Sequence, residues 1–138
     1  MAAGVIGRPH HVVWDCPDPL ALAEFWSELL GRPVTYRSED FTVVSVDDTT
    51  SGMAFQRAPD HVPPSWPDPG RPQQAHLDVM VDDLGSAHRA VLAIGARPLG
   101  GDHVYADPAG HPFCLVPRPV WAPPVGSGES RTEAPPDP

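Results

Sequence analysis

Seven histidines, two cysteines and 18 carboxylates are the chemistry-bearing side chains of this 138-residue chain. Two of the histidines are set apart by their placement. His11 opens the apolar, β-branched run 11–16, and His76 opens the similar run 76–81, 65 residues later. A neutral imidazole is a ligand for zinc, nickel, iron or manganese. It serves equally well as a hydrogen-bonding group in a cleft wall, and both uses stay open for this pair. Cys16 and Cys114 are too few for a disulfide framework. A cysteine nucleophile would need an activating base such as histidine. The sequence contains no GxxxxGK, no GxGxxG after a strand and no GxSxG elbow, so phosphate-loop, dinucleotide and serine-hydrolase chemistry are not indicated.

The elements that must position these residues repeat. After the first run, Pro17-Asp18-Pro19 breaks the strand; Asp18 suits an N-cap and Pro19 the first helical position. Leu22, Phe25, Trp26, Leu29 and Leu30 follow at helical spacing, and Gly31 supplies the stop. After the second run, Asp82-Asp83 precede Leu84, Ala87, Val91 and Ile94, and Gly95 follows. His11 to His76 and Asp18 to Asp83 are both 65 residues, while Gly31 to Gly95 is 64. Each helix leads into an Arg-Pro pair, Arg32-Pro33 or Arg97-Pro98. Strand-like segments then cover 34–37, 41–46 and 53–57 in the first half, and 97–99, 103–106 and 112–116 in the second. Each half therefore reads as a βαβββ unit, and neither alone is large enough for a useful core. Asp107-Pro108-Ala109-Gly110 is a type I turn signature joining the last two strands.

Composition narrows the function classes. All nine basic residues are arginine, and against 18 acidic residues they leave a net charge of −9. That balance argues against nucleic acid, whose binding needs cationic charge. The longest apolar runs fall far short of the 18 residues of a spanning helix, and residues 1–8 lack a signal-peptide pattern. A cytoplasmic location is expected. Of 20 prolines, six lie in residues 58–72 and seven in residues 117–138. The chain accordingly divides into an N-terminal extension at 1–8, one domain at 9–117 and a Pro-rich tail at 118–138 expected to be disordered. Within the domain, units 9–57 and 74–117 flank the connector 58–73.

Three stretches now carry a resemblance: residues 11–19 (HVVWDCPDP), Trp66-Pro-Asp-Pro69 leading into residues 76–84 (HLDVMVDDL), and residues 107–116 (DPAGHPFCLV). With the paired βαβββ plan, they resemble the bacterial glyoxalase-like domains of the vicinal oxygen chelate superfamily. That group includes glyoxalase I, extradiol dioxygenases and bleomycin-binding proteins. The resemblance spans roughly residues 8–117 and implies an α+β fold. Two tandem βαβββ units would form a curved mixed sheet around a cleft, with the helices outside. It also implies a homodimer, with clefts completed between chains.

What the resemblance implies for a metal is met only in part. In metal-dependent members a histidine on the first strand of each unit and a glutamate on the last strand bind a divalent metal. The histidine positions fall on His11 and His76. The first glutamate position falls on Ala54, with Gln56 on the same face as a weak oxygen donor. The second falls on Cys114. Two imidazoles and a thiolate suit tetrahedral zinc better than the oxygen-rich site of glyoxalase I. No glutamate stands where a glyoxalase proton shuttle would need one, although Asp15 and Asp78 share strand parity with the histidines. Trp66 is expected to lid one end of the cleft. The expected function is small-molecule binding in a cleft lined by His11, Gln56, Trp66, His76, Asp78 and Cys114, with an incomplete metal site. The net acidity favours a cationic ligand. The alternative is a metal-dependent lyase, isomerase or dioxygenase using His11 and His76.

Overall fold

The computed structural model describes residues 4–127. The first unit comprises β1 (Val12–Cys16), α1 (Pro19–Leu30), β2 (Val34–Arg37), β3 (Phe41–Val44) and β4 (Met53–Arg57). The second comprises β5 (Leu77–Val81), α2 (Leu84–Ala93), β6 (Arg97–Gly100), β7 (Val104–Ala106) and β8 (Pro112–Pro117). Each unit forms one four-stranded mixed sheet, ordered β1-β4-β3-β2 and β5-β8-β7-β6. The first and last strands of each unit run parallel, β1 with β4 and β5 with β8, and the other pairs are antiparallel. The architecture is thus α+β with two tandem βαβββ units.

Both helices start where their caps dictate. Asp18 accepts the Ala21 N–H at 3.2 Å with Pro19 in the first turn, and Gly31 closes α1 at φ 67°. Asp83 accepts from both the backbone and the hydroxyl of Ser86, at 2.8 and 2.7 Å. β3 ends at Val44, two residues short of the expected segment. Ser45 leaves the ladder because its hydroxyl bonds Thr35 Oγ1 and the Asp47 carbonyl.

One core serves both units. On the first sheet Cys16, Val44 and Phe55 face α1; on the second Val79, Tyr105, Phe113 and Leu115 belong to the same buried cluster. α1 touches both. Phe25 and Trp26 lie edge-on to Phe113, with centroids 6.1 and 5.1 Å away. Trp26 Nε1 donates to the buried Asp107 at 2.9 Å. The other oxygen of Asp107 accepts the N–H groups of Ala109 and His111, which sets the β7–β8 turn. The helix-bearing sides of the two sheets therefore share the interior. Within the chain the strands are ordered as two four-stranded sheets, one per unit, and α1 packs against both.

The connector lies over the second unit. His61 Nε2 is 3.0 Å from the Ala109 carbonyl, and Pro63 packs so close to Gly110 that a Cβ there would meet it at 2.5 Å. Residues 118–126, expected as part of a disordered tail, instead fold back. Arg118 Nε donates to Asp82 at 2.6 Å, the Val125 N–H donates to the same carboxylate, and Ala122 is buried. The remainder of the expected tail, 128–138, and residues 1–3 of the extension lie outside the described residues. Among the described residues no helix is long and apolar enough to cross a membrane.

The Trp26–Asp107 bond yields a stability expectation. Asp107→Asn presents an amide against the indole N–H or loses a turn bond, so we expect a loss of about 1–3 kcal/mol in urea unfolding. Trp26→Phe combined with it should be less than additive, because both remove one bond. Burial raises the Asp107 pKa, so the folded chain holds that proton more tightly than the unfolded chain. This group alone then lowers stability as pH rises from the ordinary carboxylate value through the raised one, and Asp107→Asn should remove that slope.

Candidate functional site

Strand parity sorts the candidate residues onto two faces. On the second sheet Asp78 pairs with Cys114, and Cys114 with Val104, while Leu77, Val79, Phe113 and Leu115 point into the core. The face opposite the core thus carries His76, Asp78 and Cys114, with Met80 and Val104 beside them. His76 Nε2 lies 3.2 Å from Asp78 Oδ1. One ligand atom from each of His76, Asp78 and Cys114 lies within 4.8 Å of the others. Burial and the Asp78 charge raise the Cys114 thiol above its ordinary value. Both cysteines are free; Cys16 is buried on the core side and burial pushes it up to about 11.

On the first sheet the corresponding face carries His11, Val13, Asp15, Ala54 and Gln56, since Val13 pairs with Ala54 and Asp15 with Gln56. Ala54 is fully buried at the position where the resemblance implies a glutamate. His11 stands outside the trio. Its Nδ1 accepts the Gly52 N–H at 3.0 Å, and its ring lies 3.8 Å from that of His10. Burial and the neighbouring His10 hold its pKa below the usual histidine range. In the neutral ring Nε2 then bears the proton, so His11 offers a donor and not a free ligand nitrogen. The four-ligand set implied by the resemblance is not met, with Ala54 and Cys114 at its glutamate positions.

The two faces are exposed in part, with Val43 and Ala54 on the first and Ala106 on the second buried. Val13 is 44 % exposed, Asp78 58 % and Met80 37 %. Trp66 packs against the turn between β6 and β7. A side chain at Gly101 would meet its Cη2 at 3.0 Å and Val104 Cγ2 at 3.6 Å. The structure therefore brings His76, Asp78 and Cys114 together, with Trp66 against the adjoining turn, and leaves His11 and Gln56 on the other sheet. The sequence placed Asp78 on the correct face but did not reveal its contact with His76. The His11–Gly52 bond had no sequence signal, because it depends on how the loop before β4 returns beside β1.

With the fold and site in place, comparison with known proteins gives the family. The Glyoxalase-like domain model matches residues 11–116, and the chain belongs to that family, within the vicinal oxygen chelate superfamily. No curated protein matches the chain. Solved structures share its fold. A bleomycin-binding protein complexed with bleomycin has a TM-score of 0.53 at 17% identity, covering 82% of this chain and 100% of that one. The glyoxalase family protein from Enterococcus faecalis reaches 0.56 at 20%, covering 80% and 97%. A glyoxalase/bleomycin resistance protein/dioxygenase family enzyme from Burkholderia phytofirmans PsJN reaches 0.57 at 16%, covering 76% and 94%.

Thiol reactivity offers a direct check on the trio. Removing a negative charge beside a thiol lowers its pKa. In Asp78→Asn we expect faster alkylation of Cys114 by iodoacetamide and a rate–pH profile displaced to lower pH. Cys16 should stay unreactive in the folded protein. An unchanged Cys114 profile would separate Asp78 from the thiol.

Proposed function

We propose that this chain is a small-molecule-binding module whose cleft forms when the face carrying His76, Asp78 and Cys114 meets the face carrying His11 and Gln56 in a second copy. The observation that supports this most is the exposure of both faces. Each mixes polar groups with apolar side chains, Val13 and Tyr36 on one and Met80 on the other, that water covers in the single chain. Apolar surface of this kind beside convergent polar groups marks a binding surface. The shared helical core turns both faces outward, so a homodimer is the arrangement that closes them on each other.

The chemistry of the faces sets the ligand class. Asp15 lies on the first face and Asp78 on the second, where the register also places Arg97, and the chain as a whole is strongly acidic. Such a cleft attracts cations and repels anions. The ligand is an organic cation with an aromatic or apolar body, held by Asp78 and His76 and covered at one end by Trp66. The structural neighbour that holds bleomycin supports ligand binding as a use of this fold. The glyoxalase proton-transfer reaction is disfavoured, because Ala54 and Cys114 occupy the positions of its carboxylates.

A second reading rests on the trio itself. His76, Asp78 and Cys114 offer one nitrogen, one oxygen and one sulfur at a spacing that suits zinc. These residues would bind the metal from one sheet alone, unlike the set the resemblance implies, and would bring Lewis-acid chemistry to the metalloenzyme alternative.

Two measurements separate the readings. A thermal-shift screen should find organic cations stabilising and matched anions inert, with affinity at least about tenfold weaker in Asp78→Asn and His76→Ala. No cation selectivity would contradict the binding reading. Metal analysis after incubation with zinc, nickel, manganese and iron should give less than stoichiometric metal. Tight equimolar zinc lost in Cys114→Ala would instead establish the second reading.

A further inference from the structure

A cavity of about 1080 Å³ lies on the helical side, reaching Asp78 and Met80 of the second strand face at its margin. It opens between the C-terminal end of α1, the start of β4, the edge strand β5 and α2. Leu30, Met53, Val79, Ile94, Leu115 and Trp121 are among its lining residues. Its cause is an imbalance between the two helices. α1 fills its part of the shared core with Phe25 and Trp26, whereas α2 has no aromatic residue and presents Ala87 and Ala90 to the gap. Open clefts of about this volume with mainly apolar walls are the usual form of a small-molecule site.

Two further features shape the opening. Residues 121–125 form one wall, fastened through Asp82, and present Trp121 with 79 % of its surface exposed. The charged lining residues are Glu28, Asp47 and Asp78 against Arg32 alone. Asp47 accepts bonds from Thr49 and Thr50, which hold its carboxyl below the usual range and keep it ionised. Asp78 turns its carboxylate to His76, so Glu28 and Asp47 against the single Arg32 leave a net negative charge among the lining residues.

We propose that this cavity is a second binding site, taking an amphiphile with a hydrocarbon body and a cationic head. The body fills the apolar space that α2 leaves beside α1. The head remains at the mouth, near Glu28 and Asp47, with Trp121 as an aromatic flap. This site borders the proposed cleft at Asp78 and Met80, while its apolar body, formed by Leu30, Met53, Val79, Ile94 and Leu115, lies on the helical side.

The test is titration of the full chain with dodecyltrimethylammonium and with dodecanoate, each below its micelle-forming concentration, followed by calorimetry with circular dichroism as the folding control. The expected result is saturable one-to-one binding of the cation, at least tenfold tighter than the carboxylate. Ala90→Trp, at an exposed helical position beside the cavity, should weaken it tenfold or more. Glu28→Gln with Asp47→Asn should erase the preference between the probes. A brominated alkylammonium should quench fluorescence in the parent and lose most of that quenching in Trp121→Phe, which serves if Ala90→Trp fails to fold. Equal affinity for the two probes, or quenching unchanged in Trp121→Phe, would overturn the proposal. So would binding lost in His76→Ala but kept in Ala90→Trp, which places the probe on the strand face. Self-association that buries Trp121 without any probe would assign the cavity to a second copy and overturn it as well.

Discussion

The hydrogen bond from Trp26 to Asp107 is the contact on which the arrangement of this molecule turns. It joins the middle of the first unit's helix to the last turn of the second unit, 81 residues away in sequence. Both partners are buried, so neither can exchange the bond for water without opening the core. Asp107 also holds the β7–β8 turn through Ala109 and His111. A single carboxylate thereby fixes the local shape of the second unit and its attachment to the first. Phe25, Trp26 and Phe113 pack around this bond and supply much of the apolar area that neither unit could bury alone.

This constraint decides where chemistry can occur. A β-strand offers two faces, and here the core takes one face of each sheet. Every candidate residue with opposite parity is left on the surface: His11, Gln56, His76, Asp78 and Cys114. Ala54 and Cys114 stand at the glutamate positions, and the His11 imidazole spends its Nδ1 on the Gly52 N–H. What remains is a pair of partly exposed surfaces, with His11 and Gln56 on one sheet and His76, Asp78 and Cys114 on the other.

Much of this was legible in the chain. Asp18-Pro19 and Gly31 bounded α1, the matching His–Asp–Gly intervals disclosed the duplication, and parity put Asp78 and Cys114 on one face. The rest depended on contacts between distant segments. Ser45 belongs to an apolar strand pattern but leaves it for side-chain bonds to Thr35 and Asp47. The segment after Pro117 has a disordered composition, yet Asp82 captures Arg118 and Val125 and orders it. The sharing of α1 between the sheets follows from where Trp26 finds an acceptor, which periodicity along one helix does not encode. The cavity beside α2 arises from the small size of Ala87 and Ala90 relative to a partner that sequence alone does not locate.

The central claim is that the two outward faces close on each other between chains. Cross-linking tests it most directly. The thiol introduced by Val13→Cys lies on the first face and Cys114 on the second, while Cys16 is buried. An equimolar mixture of ¹⁴N and ¹⁵N Val13→Cys protein, co-refolded and treated with a short bismaleimide, is digested and read by mass spectrometry. About half of the cross-linked peptides joining positions 13 and 114 should be mixed in isotope, as random pairing of two equimolar labels gives 1:2:1. Products of a single isotope only, from a protein with the mass of one chain in solution, would contradict the account.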